Sequence, residues 1–405
     1  MGSNMKLMVA QLDLRGKRVF LRADLNVPLL GDRIADDARI HSALPTVECC
    51  LAGGASVVLA SHLGRPQGRD PRYSLKPLAF RLQELLGQPV TLAPDCAGPV
   101  VEKLATRLAP GQCLLLENLR FHEGETANDF GFARSLARLA EAYVNDAFSV
   151  SHRRHASIVG IPRFLRPAAA GLLMQRELLA LARVLDRPRR PLVLMLGGAR
   201  VSDKLSIVRH LVPMVDRLLI GGAMAFTFLK ALGCETGGSC IEIDQVPAAL
   251  AILDDARNRD IPILLPEDAV AATHLGDRHH LCIVPAGRIP VALAGFDIGP
   301  VTVSRFREAI RDAGTVVWNG PMGAAEEPAF ASGTESLARA VAGCSGLTIA
   351  AGADTVAAIQ RAGVAESFGY LSLSGVVFLE GLEGRELPGV AALSGMARPL
   401  AAAAR

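Results

Sequence analysis

Short β-branched or leucine-rich runs alternate with longer stretches of helically spaced apolar residues along the whole chain. In the first half, strands are predicted at residues 18–23, 56–60, 113–117 and 142–145. In the second half, they are predicted at 192–196, 217–220, 261–265, 315–318, 347–350 and 370–373. This alternation is typical of βαβ units around a parallel sheet. The pattern therefore predicts an α/β fold.

Polar segments follow the four predicted strands of the first half. They begin at Asp24, Ser61, Asn118 and Asp146, and the last one leads to His152 and Arg153. Ligands of an open parallel sheet bind beyond the carboxyl ends of its strands. We therefore expect these segments to meet in one strongly cationic crevice.

Glycines follow several predicted strands of the second half and stand just before predicted helices. They include Gly197, Gly221, Gly320 and Gly352. A glycine turn at a helix N-terminus presents unpaired N–H groups and the positive end of the helix dipole to an anion. The second half is therefore predicted to bind nucleotide phosphates.

The chain has 405 residues, which is longer than a single hydrophobic core usually grows. A helix is predicted at 171–185, ahead of a stretch rich in proline and arginine. We expect two doubly wound, Rossmann-like parallel-sheet lobes joined by this helical hinge. The first covers 1–170, with the 389–405 tail packed on it, and the second covers 186–388.

Composition excludes several classes of protein. No apolar run is long enough to span a membrane, and the N-terminus lacks the apolar core of a secretory signal, so a soluble cytoplasmic protein is expected. The formal charge of +3 is too small to indicate nucleic-acid binding. Residues 1–170 hold 21 Lys+Arg against 16 Asp+Glu, and the rest hold 22 against 24, which favours the first half as the anion binder.

The spacing of the cysteines and histidines in the sequence predicts no metal site. The eight cysteines form no CxxC pair, and we interpret them as buried thiols. The histidines at 152, 155, 279 and 280 lack ligand spacing. Neither GxxxxGK[ST] nor a GxGxxG following a strand occurs, so P-loop and dinucleotide binding are not supported.

Eight ordered motifs make the chain resemble the phosphoglycerate kinase family over nearly its whole length. They are RADLNVP from Arg22, SHLGRP from Ser61, LENLRF around Glu117, NDAFSVSHRRHAS from Asn145, GGARVSDK from Gly197, GGAMAFTF from Gly221, DIGP from Asp297 and WNGPMG from Trp318. The resemblance implies reversible phosphoryl transfer between 1,3-bisphosphoglycerate and ADP, giving 3-phosphoglycerate and ATP. It also implies a monomer that closes about a hinge.

The resemblance implies that the first lobe binds 3-phosphoglycerate. Its distal phosphate would be held by His62, Arg65, Arg120 and Arg153, and its hydroxyl end by Asp24 and Asn26. Leu25, Leu63 and Gly64 would complete the substrate contacts. Arg39 would lie beside the reacting carboxyl group. The planar guanidinium suits this work, because it donates short bidentate hydrogen bonds to phosphate.

For the second lobe, the resemblance implies a nucleotide site and a catalytic lysine. Lys204 would follow the transferring phosphoryl group, with Arg39 as the second catalytic residue. Asp354 would help to hold Mg²⁺, which bridges phosphate oxygens in such chemistry. The nucleotide contacts would come from Arg200, Lys204, Gly295, Glu326, Gly352, Ala353, Asp354, Thr355 and Gly375.

Departures from the family pattern are concentrated in the second lobe. Arg200 stands where a lysine is usual, and Ala351 and Ala353 flank Gly352 in place of glycines. The family's STGGGA reads SLSGVV from Ser372. An alanine forced to positive φ would cost about 1–2 kcal/mol. One alternative is therefore a non-catalytic or nucleotide-altered phosphoglycerate-binding homologue. A dehydrogenase-like enzyme is a second alternative, disfavoured by the missing dinucleotide fingerprint.

Structural roles also stay open for single residues. The arginines could be solvated surface groups, His62 a structural histidine, and Asp24 a turn residue before Pro28. Lys204 could lie in the first turns of a helix capped by Ser202. Gly352 and Gly375 could be turn glycines only.

Overall fold

The computed structural model describes residues 6–186 and 188–395. The chain divides into two compact units. The first comprises residues 1–179 and 384–405, and the second comprises 180–383. Part of the tail predicted to pack on the first lobe, residues 396–405, lies outside the described residues.

A six-stranded parallel sheet forms the centre of the first unit, in the order β5-β6-β4-β1-β7-β8. Every residue of β4 is buried, as expected where helices cover both faces of a parallel sheet. The strands of this unit, including a short antiparallel hairpin of β2 with β3, are β1 Arg18–Arg22, β2 Leu29–Leu30, β3 Arg33–Ile34, β4 Ser56–Ala60, β5 Val90–Leu92, β6 Cys113–Leu115, β7 Ala142–Asn145 and β8 Ala168–Ala170.

Helices alternate with these strands and bury their apolar faces on the sheet. Leu78 and Leu82 of the second helix join Val57 and Leu59 of β4 in one core. Asp129 caps α5 by accepting a hydrogen bond from the Phe132 N–H at 2.7 Å. The helices are α1 Ala38–Ala52, α2 Lys76–Leu86, α3 Pro99–Thr106, α4 Glu123–Thr126, α5 Phe130–Ala137 and α6 Leu172–Leu185.

The second unit repeats this architecture with another six-stranded parallel sheet, in the order β12-β10-β9-β17-β18-β19. Every residue of β9 and of β17 is buried. Trp318 of β17 is fully buried in a core that also contains Phe306 and Met195. The strands are β9 Leu192–Leu196, β10 Arg217–Ile220, β11 Glu235–Thr236, β12 Ile263–Leu264, β13 Asp268–Ala272, β14 Cys282–Pro285, β15 Arg288–Ile289, β16 Ala294–Ile298, β17 Thr315–Asn319, β18 Leu347–Ala351 and β19 Tyr370–Ser372.

A small additional layer extends the second unit. β13 pairs antiparallel with both β14 and β16, and β11 pairs with β15. Phe226 and Leu229 pack against it. The later helices are α7 Leu205–Leu211, α8 Met224–Ala231, α9 Val246–Asn258, α10 Pro300–Ile310, α11 Ser332–Ala342, α12 Ala353–Arg361, α13 Gly375–Leu382 and α14 Pro388–Ala391, the last of which belongs to the first unit.

The predicted α/β class with two parallel-sheet sets is confirmed. Within the described residues, no helix is both long and apolar enough to cross a membrane. The interpretation of all cysteines as buried thiols is wrong. Cys50, Cys96 and Cys113 are buried, but Cys240 is exposed and the remaining four are half-buried. Cys240 lies in the connection between β11 and α9, outside the sheet cores.

Candidate functional site

Asp24 is the centre of a buried polar network at the carboxyl end of β1. Its carboxylate accepts hydrogen bonds from the Arg39 guanidinium and the Ser149 hydroxyl, and from the Asn26 N–H at 3.0 Å. Burial alone would raise the pKa of Asp24, but the neighbouring His62 ring, the Arg39 guanidinium and these hydrogen bonds hold it below its ordinary value. Asp24 therefore both forms a local turn, through the Asn26 N–H, and joins Arg39 and Ser149 as a carboxylate.

The network joins the polar segments that follow neighbouring strands. Asn118 donates to the Leu63 carbonyl at 2.8 Å, and Asn26 accepts from the Gly64 N–H at 2.8 Å. Arg120 donates to the Gly64 carbonyl at 2.6 Å. The segments after β1, β4 and β6 are thus tied into one surface, as predicted from the strand ends.

Positive charge accumulates at this surface. Burial, followed by the charges of Arg22 and Arg65, lowers the pKa of Arg120. The pKa of His155 falls to about 4 through burial and the nearby charges of Arg120, Arg22 and Arg153. Arg65 and Arg153 are themselves exposed. Glu125 and Asp24 offset part of this positive charge at Arg120, but the arginines still repel one another, so an anion bound among them is stabilised.

The apolar residues predicted for this site serve it through their backbone. Leu25 and Leu63 are buried in the core of the first unit. The Leu25 N–H donates to the Ser61 hydroxyl at 2.8 Å, and the Leu63 N–H donates to Asn118 Oδ1 at 3.2 Å. Gly64 has φ +61°, and a Cβ there would overlap the Tyr73 ring. These residues shape the loops that carry the polar groups.

Lys204 lies in the second unit, at the carboxyl ends of β9 and β17. Its ammonium donates to the Gly197 carbonyl, and to the Asn319 carbonyl at 3.2 Å. Burial lowers the pKa of Lys204 to about 8, while the charges of Asp203 and Asp354 act in the opposite direction. The structure therefore brings Lys204 and Asp354 within electrostatic reach of each other.

Glycine backbone surrounds the lysine. Gly320 has φ +91°, and a Cβ there would lie 2.6 Å from Lys204 Nζ. Its N–H donates to the buried Thr355 hydroxyl at 2.8 Å. A Cβ on Gly375 would lie 2.8 Å from the Gly352 Cα. Strand-end turns and the N-termini of α12 and α13 thus approach closely around Lys204.

The other residues predicted for the nucleotide site are more dispersed. Gly295 lies in β16, where its N–H donates to the Ser239 hydroxyl at 3.0 Å and a Cβ would overlap the Phe226 ring. Arg200 and Glu326 are exposed, and within the described residues no side-chain hydrogen bond or ion pair ties either of them to Lys204. Ala353 and Asp354 are exposed in the first turn of α12.

The backbone conformation answers two questions from the sequence, namely where the helix near Lys204 begins and whether the alanines beside Gly352 are strained. α7 begins at Leu205, and the residue at its N-cap position is Lys204 itself. The alternative that Lys204 lies in the first turns of a helix capped by Ser202 is therefore wrong. Among the described residues, the only non-glycines at positive φ are Asn128 and Asp260. The alanines beside Gly352 are therefore unstrained, and Gly352 supplies the left-handed turn with φ +109°.

Sequence reasoning missed buried charged residues in both units. Arg22 is fully buried under the first site, together with Glu125 and Ser157. Asp297 is buried in the second unit, and burial raises its pKa to about 7 while it accepts hydrogen bonds from the Gly333 and Ile298 N–H groups. The available signal was a charged residue at the end of an apolar strand run, as in RVFLRAD and AGFDIG.

Two places offer ligand atoms to a cation. The Asp354 carboxylate is exposed beside the lysine site, which suits Mg²⁺, a cation that keeps several waters and takes few carboxylates. Within the described part of the chain, Asp95, Cys96 and His122 form the only tight group of three or more His, Cys, Asp or Glu ligand atoms. There, His122 already pairs with Asp95 at 2.6 Å and Cys96 donates to the Glu117 carbonyl.

Comparisons with known proteins point to one family. The family model described as "Phosphoglycerate kinase" matches residues 9–385. The chain is 50% identical to "Phosphoglycerate kinase" of Moorella thermoacetica, covering 96% of this chain and 99% of that protein. It is 47% identical to "Phosphoglycerate kinase, cytosolic" of Triticum aestivum, covering 95% and 97%.

Solved structures give the same result. The structure of phosphoglycerate kinase from Coxiella burnetii superposes with a TM-score of 0.84 at 36% identity, covering 96% of this chain and 98% of that one. The enzyme from Pyrococcus horikoshii superposes with a TM-score of 0.86 at 31% identity and the same coverage. With a family model over nearly its whole length and relatives at about half identity, the chain belongs to the phosphoglycerate kinase family.

Proposed function

We propose that the chain catalyses reversible phosphoryl transfer between 1,3-bisphosphoglycerate and ADP, giving 3-phosphoglycerate and ATP. Family membership over nearly the whole chain supports this reaction, which makes the chain a kinase with a carboxyl group as acceptor. The observation that carries the proposal is the Lys204 ammonium, held by strand-end carbonyls in a turn of bare glycine backbone.

The first unit is proposed to bind 3-phosphoglycerate. His62, Arg65, Arg120 and Arg153 would hold the distal phosphate, and Asp24 with Asn26 would hold the hydroxyl end. The mutual proximity of the cations supports this, because an incoming phosphate relieves their repulsion. Arg39, oriented by its ion pair with Asp24, would neutralise charge at the reacting carboxyl group.

The second unit is proposed to bind the nucleotide, through Arg200, Gly295, Glu326 and the first turns of α12 and α13. Asp354 would hold Mg²⁺, which would supply charge neutralisation on the nucleotide phosphates. Lys204 would leave its backbone carbonyls for the phosphoryl group, a stronger partner because the bond is then charge-assisted on both sides. Its lowered pKa reflects the cost of keeping the ammonium buried without that anion.

The chemistry then needs alignment and charge neutralisation more than proton transfer. A carboxylate attacks in the ATP-consuming direction, so no general base is required, and positioning with exclusion of water lowers the barrier. Hinge bending, a monomeric state and a cytoplasmic location remain predictions, and the wheat relative named "cytosolic" is consistent with the last of them.

A coupled assay tests the proposal. ATP consumption by the purified chain should depend on both 3-phosphoglycerate and Mg²⁺, with a turnover in the range of about 1–100 per second that is usual for kinases. Binding of 3-phosphoglycerate without ATP consumption, and without binding of Mg-ATP or Mg-ADP, would instead establish the non-catalytic homologue. Activity with NADH and no kinase activity would favour the dehydrogenase.

A further inference from the structure

Arg22 is a fully buried cation directly beneath the first site. Its side chain reaches three acceptors. Nε donates to the Ser157 hydroxyl at 2.9 Å, Nη2 lies 3.0 Å from His62 Nδ1, and Nη1 donates to the Ala23 carbonyl. A guanidinium this well partnered has a fixed position, so the group that it offers to His62 is fixed as well.

Ser157 and Glu125 hold Arg22 from the other side. The Ser157 hydroxyl donates to Glu125 Oε1 at 2.6 Å, and the Ser157 N–H donates to Oε2 at 2.9 Å. Glu125 is fully buried. Since a guanidinium only donates and a carboxylate only accepts, the hydroxyl must accept from Arg22 and donate to Glu125. The chain of hydrogen bonds therefore has one direction.

The same asymmetry decides the protonation of His62. Arginine has no acceptor and stays charged in proteins, so the bond between Nη2 and Nδ1 exists only if Nδ1 carries a lone pair. We propose that Arg22 is a positioning residue that fixes His62 as the neutral tautomer with its proton on Nε2. That nitrogen then donates to an oxyanion at the site.

The groups that face His62 compete over which ring nitrogen carries the proton. They are Asp24, Arg22, Arg120 and His155. Burial first, and then the arginine charges, hold the pKa of His62 well below its ordinary value, against the opposing effect of Asp24. Asp24 Oδ1 lies 3.9 Å from the same Nδ1. Without Arg22 the carboxylate would draw the ring proton to Nδ1, leaving a lone pair on Nε2.

For substrate binding, the inference rests on the proposed function. A phosphate oxygen accepts hydrogen bonds, so a ring with Nε2–H binds it and a ring with a bare Nε2 repels it. Charge at the phosphate would come from the arginines, and His62 would contribute a directed neutral donor. Loss of one such donor should weaken 3-phosphoglycerate binding about ten- to hundredfold.

The test is nuclear magnetic resonance of the ¹⁵N-labelled full chain without substrate. Correlations between ring carbon-bound protons and ring nitrogens report which nitrogen carries the proton, and the His62→Gln variant identifies the signals among the nine histidines. We expect Nε2–H in the wild type at neutral pH and a shift to Nδ1–H in Arg22→Met. A wild-type ring with Nδ1–H, or an Arg22→Met ring that keeps Nε2–H, would overturn the proposal.

Two further variants guard against misfolding and charge effects. Arg22→Met leaves Glu125 buried without the guanidinium that faces it across Ser157, so the double variant Arg22→Met/Glu125→Gln removes both charges and should show the same Nδ1–H. Glu125→Gln alone keeps the Arg22 contact and should retain Nε2–H, and loss of Nε2–H there would count against Arg22 as the determinant.

Calorimetry on the same samples separates this inference from the proposed function. Wild type should bind 3-phosphoglycerate, and the double variant should bind it at least tenfold more weakly. Absence of binding to the wild type would overturn the proposed function and leave the tautomer measurement standing. Equal binding by a variant with a changed tautomer would overturn the link between tautomer and phosphate.

Discussion

The two units differ in how they build the sites that we propose for phosphate groups. In the first unit, charged side chains are tied to one another, as Asp24 is to Arg39 and Arg22 is to His62. In the second, bare backbone forms the site and a single ammonium, Lys204, rests on carbonyl oxygens. A site made of side chains can adjust to small shifts of the backbone. A site made of glycine backbone accepts a substitution only where the added Cβ has space.

This difference explains why the second unit can depart from the family pattern at several positions. Ala353 lies in the first turn of α12 at ordinary helical φ, and Val376 of α13 is 66% exposed. Neither residue occupies the left-handed position, which belongs to Gly352. The backbone N–H donors of both helix N-termini are therefore retained. This weakens the argument from these substitutions that the chain is a non-catalytic homologue.

The largest effect should follow from removing the one ammonium of the second site. Lys204→Met keeps the length of the side chain and loses its charge, so turnover should fall by about a thousandfold with little change in the KM for 3-phosphoglycerate. The exposed Lys230, at the end of α8, offers a matched control, and Lys230→Met should leave the coupled assay unchanged. Wild-type turnover in Lys204→Met would refute the catalytic role.

A smaller effect should follow from adding one methyl group to the glycine turn. In Gly320→Ala, the new Cβ would overlap the Gly197 carbonyl group and lie 2.6 Å from Lys204 Nζ, in a left-handed conformation. The turn that holds the lysine must then shift, so Mg-ADP affinity should drop by about tenfold or more. Gly363 has φ +72° with nothing within 4 Å. Gly363→Ala should therefore cost about 1 kcal/mol of unfolding free energy and leave nucleotide affinity unchanged. Equal affinities in both variants would contradict the backbone-built site.

Buried carboxylates offer a third contrast, in their response to pH. Asp24 is paired with cations and its pKa is lowered, so its contribution to stability is lost only as pH falls. Asp297 has backbone N–H donors and a pKa raised from 3.8 to about 7. Its folded form holds a proton that the unfolded chain releases, so its contribution is present below pH 4 and is lost as pH rises through 7.

Urea unfolding at pH 5 and at pH 8 measures this contrast. Relative to the Asp297→Asn variant, which cannot ionise, the wild type should lose roughly 2–3 kcal/mol of stability of the second unit over that range. A difference between wild type and variant that is the same at both pH values would show that Asp297 does not titrate there.

The smallest effect should come from restoring the glycines of the family pattern. In Ala353→Gly and Val376→Gly, each helix gains a flexible residue in its first turn, at a cost of up to about 1 kcal/mol in unfolding free energy. Turnover should stay within about threefold of wild type, because the new residues add no donor. A large rise in turnover would show that these side chains do impair the nucleotide site.

Sequence patterns predicted the central strands well because those strands are continuous apolar runs. β7, β9 and β10 fall on the predicted residues, and β4 does as well. β8 was missed because its sequence is three alanines, which have no preference for strands, and only pairing with β7 fixes its conformation. The predicted strand at 261–265 forms only at Ile263–Leu264, where it meets β10.

The candidate site was predictable where it rests on the residues of a recognisable motif. Asp24 and Asn26 follow β1, and Arg39, which only the family resemblance had singled out, lies in the first turn of α1 and meets them in one network. The supporting layer was not predictable, because Glu125 and Ser157 lie far from Arg22 in sequence and become its partners only through tertiary packing. Asp297 likewise looks like an ordinary strand residue until its burial is known.

The division of work between the units is the central claim, and one calorimetric comparison tests it most directly. Arg153→Ala removes a cation from the first site, while its exposed neighbour Arg154 lines a different pocket with Arg163 and Arg166. We predict that Arg153→Ala weakens 3-phosphoglycerate binding about tenfold or more and leaves Mg-ADP binding intact. Gly320→Ala should weaken Mg-ADP binding and leave 3-phosphoglycerate binding intact. Arg154→Ala should change the affinity for neither ligand. The account would be contradicted if either site variant bound both ligands more weakly than the wild type. It would also be contradicted if Gly320→Ala lost affinity for 3-phosphoglycerate and kept its affinity for Mg-ADP.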